Sequence, residues 1–206
     1  MRPLATVCVT TIPARRSLLS RLLFNLTRQP SIELLVYDGL RPMGDKLNEM
    51  FAAALGAYVV AVDDDDMLSD AYVAMIASTL KDARFDFVGH DILWLEAGRY
   101  SGLISHSLDG DPEWRSLDRG VSPKCPVRTE IARAHEFGNH YTADRDWSQA
   151  VHAECETGFY IPAPLYIYDH WDDHMVGTEP GDERASRPQR DVGSWPCDPK
   201  AATWLA

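Results

Sequence analysis

The sequence predicts an α/β domain with a mostly parallel central sheet flanked by helices. Three observations lead there. Apolar runs of strand length alternate with stretches of helical periodicity through the first 80 residues, and such alternation argues for a parallel sheet joined by right-handed crossovers. The ends of three runs, Thr10-Thr11, Asp38-Gly39 and Asp63 to Asp66, fall at one carboxyl edge, where open α/β sheets bind ligands. A chain of 206 residues, 45% hydrophobic and 25% charged, can bury one sizeable core as a soluble globular protein.

Ala5 to Thr10 is the first buried strand and breaks at Thr11-Ile12-Pro13. Leu18, Leu19, Leu22, Leu23 and Leu26 recur at helical spacing, which predicts an amphipathic helix over residues 16–28. Glu33 to Tyr37 is a second strand closed by Asp38-Gly39. Leu47, Met50, Phe51, Ala54 and Leu55 mark a second helix, which Gly56 is placed to end. Tyr58 to Val62 is a third strand, and Val73, Ile76, Ala77 and Leu80 carry the helix after it. The second half is less regular. Phe85 to Leu95 reads as a strand with polar interruptions, residues 96–124 as loops and short hairpins, and Val127 to His135 as a helix. Trp147, Ala150, Val151 and Cys155 share one face of a further helix. Phe159 to Tyr168 is strand-like, with prolines that suit an edge. After His174 the composition shifts to Gly, Pro, Asp, Glu and Arg, so residues 175–206 read as an irregular C-terminal tail or lid, anchored by Trp195 and Trp204.

The net charge of −11 disfavours a nonspecific nucleic-acid binder, which needs a basic footprint, without excluding a local basic groove. Cys8, Cys125, Cys155 and Cys197 are scattered, with no Cys-x-x-Cys pair. That spacing supports neither a zinc site nor a disulfide framework and suggests reduced thiols. The N-terminus opens straight into a strand-like run without the apolar core of a signal peptide. No apolar stretch reaches the roughly 18 residues of a membrane span. A cytoplasmic protein is expected.

The run from Val62 into Asp63-Asp64-Asp65-Asp66 carries the sharpest chemistry. Adjacent carboxylates repel one another and need water, a cation or both. The best use for them is a hard divalent cation with oxygen ligands, held against a phosphorylated substrate. The alternative is a solvated acidic turn capping a helix that begins near Ser69. In an extended strand Asp63 and Asp65 would point to the same side, about 7 Å apart, with Asp64 facing the opposite side.

In this order the features resemble the GT-A nucleotide-sugar glycosyltransferases, particularly family 2, from about residue 5 to residue 174. The family pairs an Arg/Lys and an Asn with a helix, then a strand closing in an Asp-x-Asp (DxD) motif. Gly44-Asp-Lys46-Leu-Asn48 followed by Val62 to Asp66 has that form. The resemblance implies a single GT-A (Rossmann-like) domain over residues 1–174, with 1–95 as its nucleotide-sugar-binding half and 96–174 as its acceptor-side half. It implies a UDP- or GDP-sugar donor and a Mn2+ or Mg2+ ion that neutralises the departing diphosphate. Asp65 is then the direct metal ligand, Asp63 faces the nucleoside or a metal-bound water, and Asp66 either contacts the ion or opens the following helix. Asp64 is counted with the donor-binding residues. Asp38 stands where the family recognises the donor base, or else is a turn-forming Asp-Gly. Thr11, Pro13 and Arg15 stand in the loop that wraps nucleobase and ribose, a surface charge being the rival for Arg15. Lys46 and Asn48 approach the donor, a solvated helix face being the rival for Lys46.

An inverting transfer needs a base on the acceptor side. In the resembling family this is the Asp of a Glu-Asp motif at a helix start. Ala143-Asp144-Arg145-Asp146-Trp147 occupies that place, with Ala143 where the family has an acid. Asp144 aligns best, Asp146 is the reserve, and either can instead cap the helix. In the late segment the family often supplies a histidine to the metal; His170 is the first choice and His174 the second. His90, His106, His135, His140 and His152 read as structural, although His140 could line the acceptor pocket. Trp94, Trp114 and Trp147 can stack on sugar or base rings or pack in the core. The leading expectation is a metal-dependent, inverting glycosyltransferase whose acceptor is a glycan, protein, lipid-linked sugar or modified nucleobase. A nucleotidyltransferase of related fold would carry a Gly-rich basic loop after the first strand, and Thr10 to Arg16 has only the arginines. A protein that keeps the fold but binds ion or nucleotide without catalysis is a further alternative, kept open by Ala143.

Overall fold

The computed structural model describes residues 2–26, 31–81 and 85–170. Its first half follows the expected alternation. Strands β1 (Ala5–Thr11), β2 (Ile32–Asp38) and β3 (Tyr58–Asp63) run parallel in the order β2-β1-β3. Every residue of β1 is buried, because helices cover both faces of a parallel sheet and leave no reason for polar alternation. The register pairs Thr11 with Asp38 and Thr10 with Asp63, so the three strand ends stand level at one edge.

Helices α1 (Arg16–Leu26), α2 (Met43–Ala53) and α3 (Tyr72–Leu80) follow these strands. Side chains of a strand alternate between faces, and the core divides accordingly. Val7, Val9, Val60 and Val62 pack with Leu22 and Leu26 of α1 and with Tyr72, Val73 and Ile76 of α3. Cys8, Val59 and Ala61 belong to a second cluster with Leu47, Met50 and Phe51 of α2. Each such Val or Leu contributes about 1.5–3 kcal/mol on burial, so both layers hold the edge in place. Gly56 does not end α2, which stops at Ala53. Its N–H donates to Thr6 Oγ1 at 2.9 Å, and a Cβ there would fall 2.5 Å from the Thr6 backbone nitrogen. Close approach to β1 is what demands glycine.

The second half departs further from expectation. Between the acidic run and α3 lies the short strand β4 (Met67–Leu68). β5 (Phe87–Glu96) and β6 (Arg99–Asp111) form a long antiparallel hairpin where loops and short hairpins were expected beyond residue 96. Its turn residues Ala97 and Gly98 have φ of 49° and 76°, the left-handed pair that suits strand twist. β7 (Asp118–Arg119) pairs with β6. The expected helix from Val127 begins instead as β8 (Val127–Arg128), which bridges β3 and β5, and α4 is only Thr129–Ala132. α5 (Ala143–His152) packs Trp147 and Val151 into the α2 side of the core, and Cys155 lies past its end. β9 (Gly158–His170) runs parallel to β5 and pairs with β4 at Tyr166 and Ile167. Pro164 sits at an irregularity in that register, where its missing N–H costs no ladder bond.

Among the described residues no helix is long and apolar enough to cross a membrane, and Cys8, Cys125 and Cys155 are free thiols. His174, the tail 175–206 with Trp195 and Trp204, and the end of the first helix beyond Leu26 lie outside the described residues.

Candidate active site

β3 ends at Asp63, and the chain then turns: the Asp66 N–H donates to the Asp63 carbonyl at 3.2 Å. The strand alternation expected for Asp63 and Asp65 therefore does not hold. The turn pairs Asp63 with Asp66 around one cation and Asp64 with Asp65 around another.

Arg15 serves the second pair. Its Nη1 lies 3.1 Å from Asp64 Oδ1 and 3.3 Å from Asp65 Oδ2. Asp64 is buried and also accepts the Thr11 hydroxyl at 2.6 Å. Burial, reinforced by the charge of Asp65, pushes the Asp64 pKa up to about 6 against the pull of Arg15 and Thr11. Burial alone would lower Arg15, but the charges of Asp65 and Asp64 outweigh it and raise the guanidinium further. Arg15 is an inward clamp and not a surface charge.

Lys124 serves the first pair. Its ammonium contacts Asp63 Oδ2 and lies 2.8 Å from Asp66 Oδ2 and 3.0 Å from the Tyr166 hydroxyl. That hydroxyl donates to Asp66 Oδ2 at 2.5 Å and accepts the Asp63 N–H at 3.3 Å. Asp66 is 0% exposed, and burial pushes its pKa up to about 7 despite Lys124. For Lys124 burial works downward, but Asp63 and Asp66 overcome it and hold the ammonium well above the usual lysine range. Lys124 arrives on a segment running beside β3, where the Pro123 carbonyl accepts the Ala61 N–H at 2.7 Å. Sequence reasoning missed Lys124 and the role of Tyr166. The available signal was a lone cation inside the otherwise uncharged run Val121 to Val127.

The other donor-side candidates divide by what holds them. Lys46 is buried, not on a solvated face, and its Nζ donates to the Thr11 carbonyl at 2.9 Å; burial lowers its pKa. Asn48 receives the Phe137 N–H at 2.8 Å and donates to the Phe137 carbonyl at 3.0 Å, so its amide is engaged in tying α2 to that loop. Gly44 permits the same approach, since a Cβ there would run into the Gly138 carbonyl oxygen. Asp38 is exposed and pairs with Arg16 at 2.8 Å. Pro13 is exposed in the 3-10 turn Pro13–Arg15.

Of the two acceptor-side acids, Asp144 is half-buried in the first turn of α5, and Asp146 is exposed. Burial raises the Asp144 pKa; the Arg145 N–H and the charge of Lys124 oppose this, and Asp63 adds to it. Asp144 thus shares an electrostatic field with Lys124 and Asp63, and its charge also reaches Arg119. Asp146 is bonded to His140 Nε2 at 2.8 Å and to the Thr142 hydroxyl at 3.3 Å, and the His140 bond helps pull its pKa down. His170, at the end of β9, has its Nδ1 3.2 Å from the Tyr168 hydroxyl, and Lys124 Nζ lies 5.4 Å from the centre of the Tyr168 ring. Trp147 is buried against Phe51 and Phe137. Trp94 packs against the core, and Trp114 is half-buried beneath Arg119, 5.3 Å from its ring centre.

A divalent ion fits this site by the chemistry of its donors. Asp63, Asp65 and Asp66 offer hard oxygens, Asp66 Oδ1 is buried without a hydrogen bond, and Lys124 stands there as a cation already. The donors are not gathered as they stand: among the described residues no three Asp, Glu, His or Cys side chains converge to hold a metal. Arg15 and Lys124 keep the carboxylates in separate pairs, and the expected shell of Asp63, Asp65, Asp66 and His170 is not assembled.

No family model matches the sequence, and no curated protein matches it. Solved structures do match. S. aureus TarS 1–349 in complex with UDP-GlcNAc has a TM-score of 0.63 at 14% identity, over 92% of this chain and 62% of that one. The same protein in complex with UDP has a TM-score of 0.62 at 13% identity, over 84% of this chain and 62% of that one. The mannosyltransferase PcManGT from Pyrobaculum calidifontis, in complex with GDP-Man and Mn2+, has a TM-score of 0.53 at 15% identity, over 82% of this chain and 57% of that one. This chain therefore spans about three-fifths of the length of these structures. The likeness shows the fold, which is GT-A: a mixed sheet, mostly parallel, flanked by helices.

Proposed function

We propose that this chain is a metal-dependent glycosyltransferase that moves a sugar from a UDP- or GDP-sugar to an acceptor hydroxyl with inversion. One observation carries the reading. In a GT-A domain, a cluster of aspartates stands at the carboxyl end of β3, level with the ends of β1 and β2, and a half-buried carboxyl, Asp144, stands in the first turn of α5. A base for the acceptor and a diphosphate end for the donor are what the reaction requires on opposite sides of one sugar. Support comes from the solved structures of this fold that hold UDP-GlcNAc, UDP or GDP-Man.

The chain's own residues divide the work. Thr11, Pro13 and Arg15 line the nucleoside side, and Asp38 recognises the base once it exchanges Arg16 for a base N–H. Lys46 fixes the Thr11 carbonyl and with it the loop. Asp144 takes the acceptor's hydroxyl proton while that oxygen attacks the anomeric carbon and the bond to the diphosphate breaks on the far face. Asp63, Asp65 and Asp66 would hold a divalent ion, Mn2+ or Mg2+, which when bound supplies Lewis-acid neutralisation of the leaving diphosphate. His170 would be a further ligand through Nε2, with its Nδ1 held by the Tyr168 hydroxyl. The reaction is assigned to the cytoplasm, which suits the free Cys8, Cys125 and Cys155.

The test is a panel of UDP- and GDP-sugars offered to the purified protein with and without Mn(II). Metal-dependent release of UDP or GDP from one donor, with a matching rise in melting temperature, is expected. No release and no thermal shift across the panel would refute the proposal.

A further inference from the structure

The ammonium of Lys124 has three protons to donate, and Asp63 Oδ2, Asp66 Oδ2 and the Tyr166 hydroxyl accept them. The rings of Tyr166 and Tyr168 lie 4.8 and 5.4 Å from it. Asp66 is fully buried, and its second oxygen, Oδ1, makes no hydrogen bond. This is a cation site whose cation is part of the chain. A divalent ion could not share Asp63 and Asp66 with an ammonium already seated between them, because like charges at that separation repel strongly in a poorly hydrated site. Displacing the ammonium alone is also unfavourable, since it would leave a shielded lysine without a counter-charge. The anionic diphosphate of a nucleotide supplies that charge.

We propose that Lys124 is a donor-binding residue with two sets of partners: it neutralises Asp63 and Asp66 when no donor is bound, and it gives up Asp63 for the diphosphate when metal and nucleotide bind together. The inference rests on the nucleotide-sugar reading above. It makes Lys124 the reason that metal and nucleotide bind together rather than separately. Without nucleotide the protein binds metal weakly, and the nucleotide adds to metal affinity beyond the phosphate's own chelation.

The experiment measures Mn(II) binding by the loss of the free-ion EPR signal, in the absence of any nucleotide, for the wild type, Lys124→Met and Lys124→Arg, with folding checked by circular dichroism. Lys124→Met should bind Mn(II) at least tenfold more tightly than the wild type and should bind UDP or GDP more weakly in the presence of Mn(II). Lys124→Arg keeps the charge and should bind Mn(II) no more tightly than the wild type. It keeps the test decisive should Lys124→Met fail to fold. Unchanged or weaker Mn(II) binding by folded Lys124→Met, or tighter binding by Lys124→Arg, would overturn the counter-ion role. If the wild type binds neither UDP nor GDP with Mn(II), the donor reading fails and takes the nucleotide half of this inference with it. A tighter Mn(II) site in Lys124→Met would still be visible in that case, so the two failures are distinguishable.

Discussion

The Thr11 hydroxyl donates a 2.6 Å hydrogen bond to Asp64 Oδ2, tying the end of the first strand to the turn after the third through a buried carboxylate. Burial and the neighbouring Asp65 push the Asp64 pKa up to about 6. A raised carboxyl pKa means the folded state holds the proton more tightly than the unfolded chain does. The resulting stability is fully present below the ordinary Asp value near pH 4 and is lost as pH rises through about 6. Asp64→Asn removes this dependence. Urea unfolding should show the wild type losing about 2 kcal/mol relative to Asp64→Asn between about pH 4 and pH 6. A wild-type stability that stays flat or rises with pH relative to Asp64→Asn would contradict the buried-acid assignment.

Asn48 is expected to matter for stability. Its amide satisfies both the N–H and the carbonyl of Phe137, and Phe137 stacks on Trp147 with ring centroids 4.7 Å apart. Asn48→Ala leaves those backbone groups unpaired, at a cost of about 2 kcal/mol. For a chain of this size that is a fall of roughly 4–8 °C in melting temperature. Loss of donor affinity without any thermal destabilisation would instead mark Asn48 as a donor contact.

These assignments show where the sequence was legible. The first three strands could be read because β1 and β3 are continuous apolar runs buried on both faces and β2 is a largely apolar run at the sheet's edge, and the level strand ends followed from that. β6 could not, since its inward positions are Gly102, Ile104, His106, Leu108 and Gly110, of which only two are large and apolar. The pleat alternates there, but hydrophobicity does not. The quartet was recognisable as a site, yet its division was not, because a turn after Asp63 replaces the strand geometry that would have paired Asp63 with Asp65. Lys124 was illegible for a different reason. Its partners Asp63 and Asp66 are 61 and 58 residues away, and only the packing of the 121–126 segment against β3 brings them together.

Asp65 is buried, and its Oδ2 faces Arg15 at 3.3 Å. Asp65→Ala should lower metal-dependent donor affinity at least tenfold, about 1.4 kcal/mol, while leaving the fold intact. Isothermal titration of UDP or GDP with Mn(II) reads this. Unchanged affinity would remove Asp65 from the ligand set and leave Asp63 and Asp66 as the ion's carboxylates.

Asp144 and Asp146 make opposite predictions. Asp144 is shielded and coupled to Lys124 and Asp63, whereas Asp146 is exposed and bonded to His140 and Thr142. Asp144→Asn should preserve donor binding and lower kcat by roughly 10²–10⁴, the range for a lost general base. Asp146→Asn should cost only a few-fold, through the start of α5. The pH profile supplies a second readout. A base works deprotonated, so kcat/KM should rise with pH through a midpoint above the ordinary Asp value of about 3.9, because burial raises the Asp144 pKa. In Asp144→Asn the residual activity should lose that acid limb. If Asp146→Asn abolishes transfer while Asp144→Asn retains both rate and limb, the base is Asp146, and the field linking Asp144 to the aspartate cluster has no part in the chemistry.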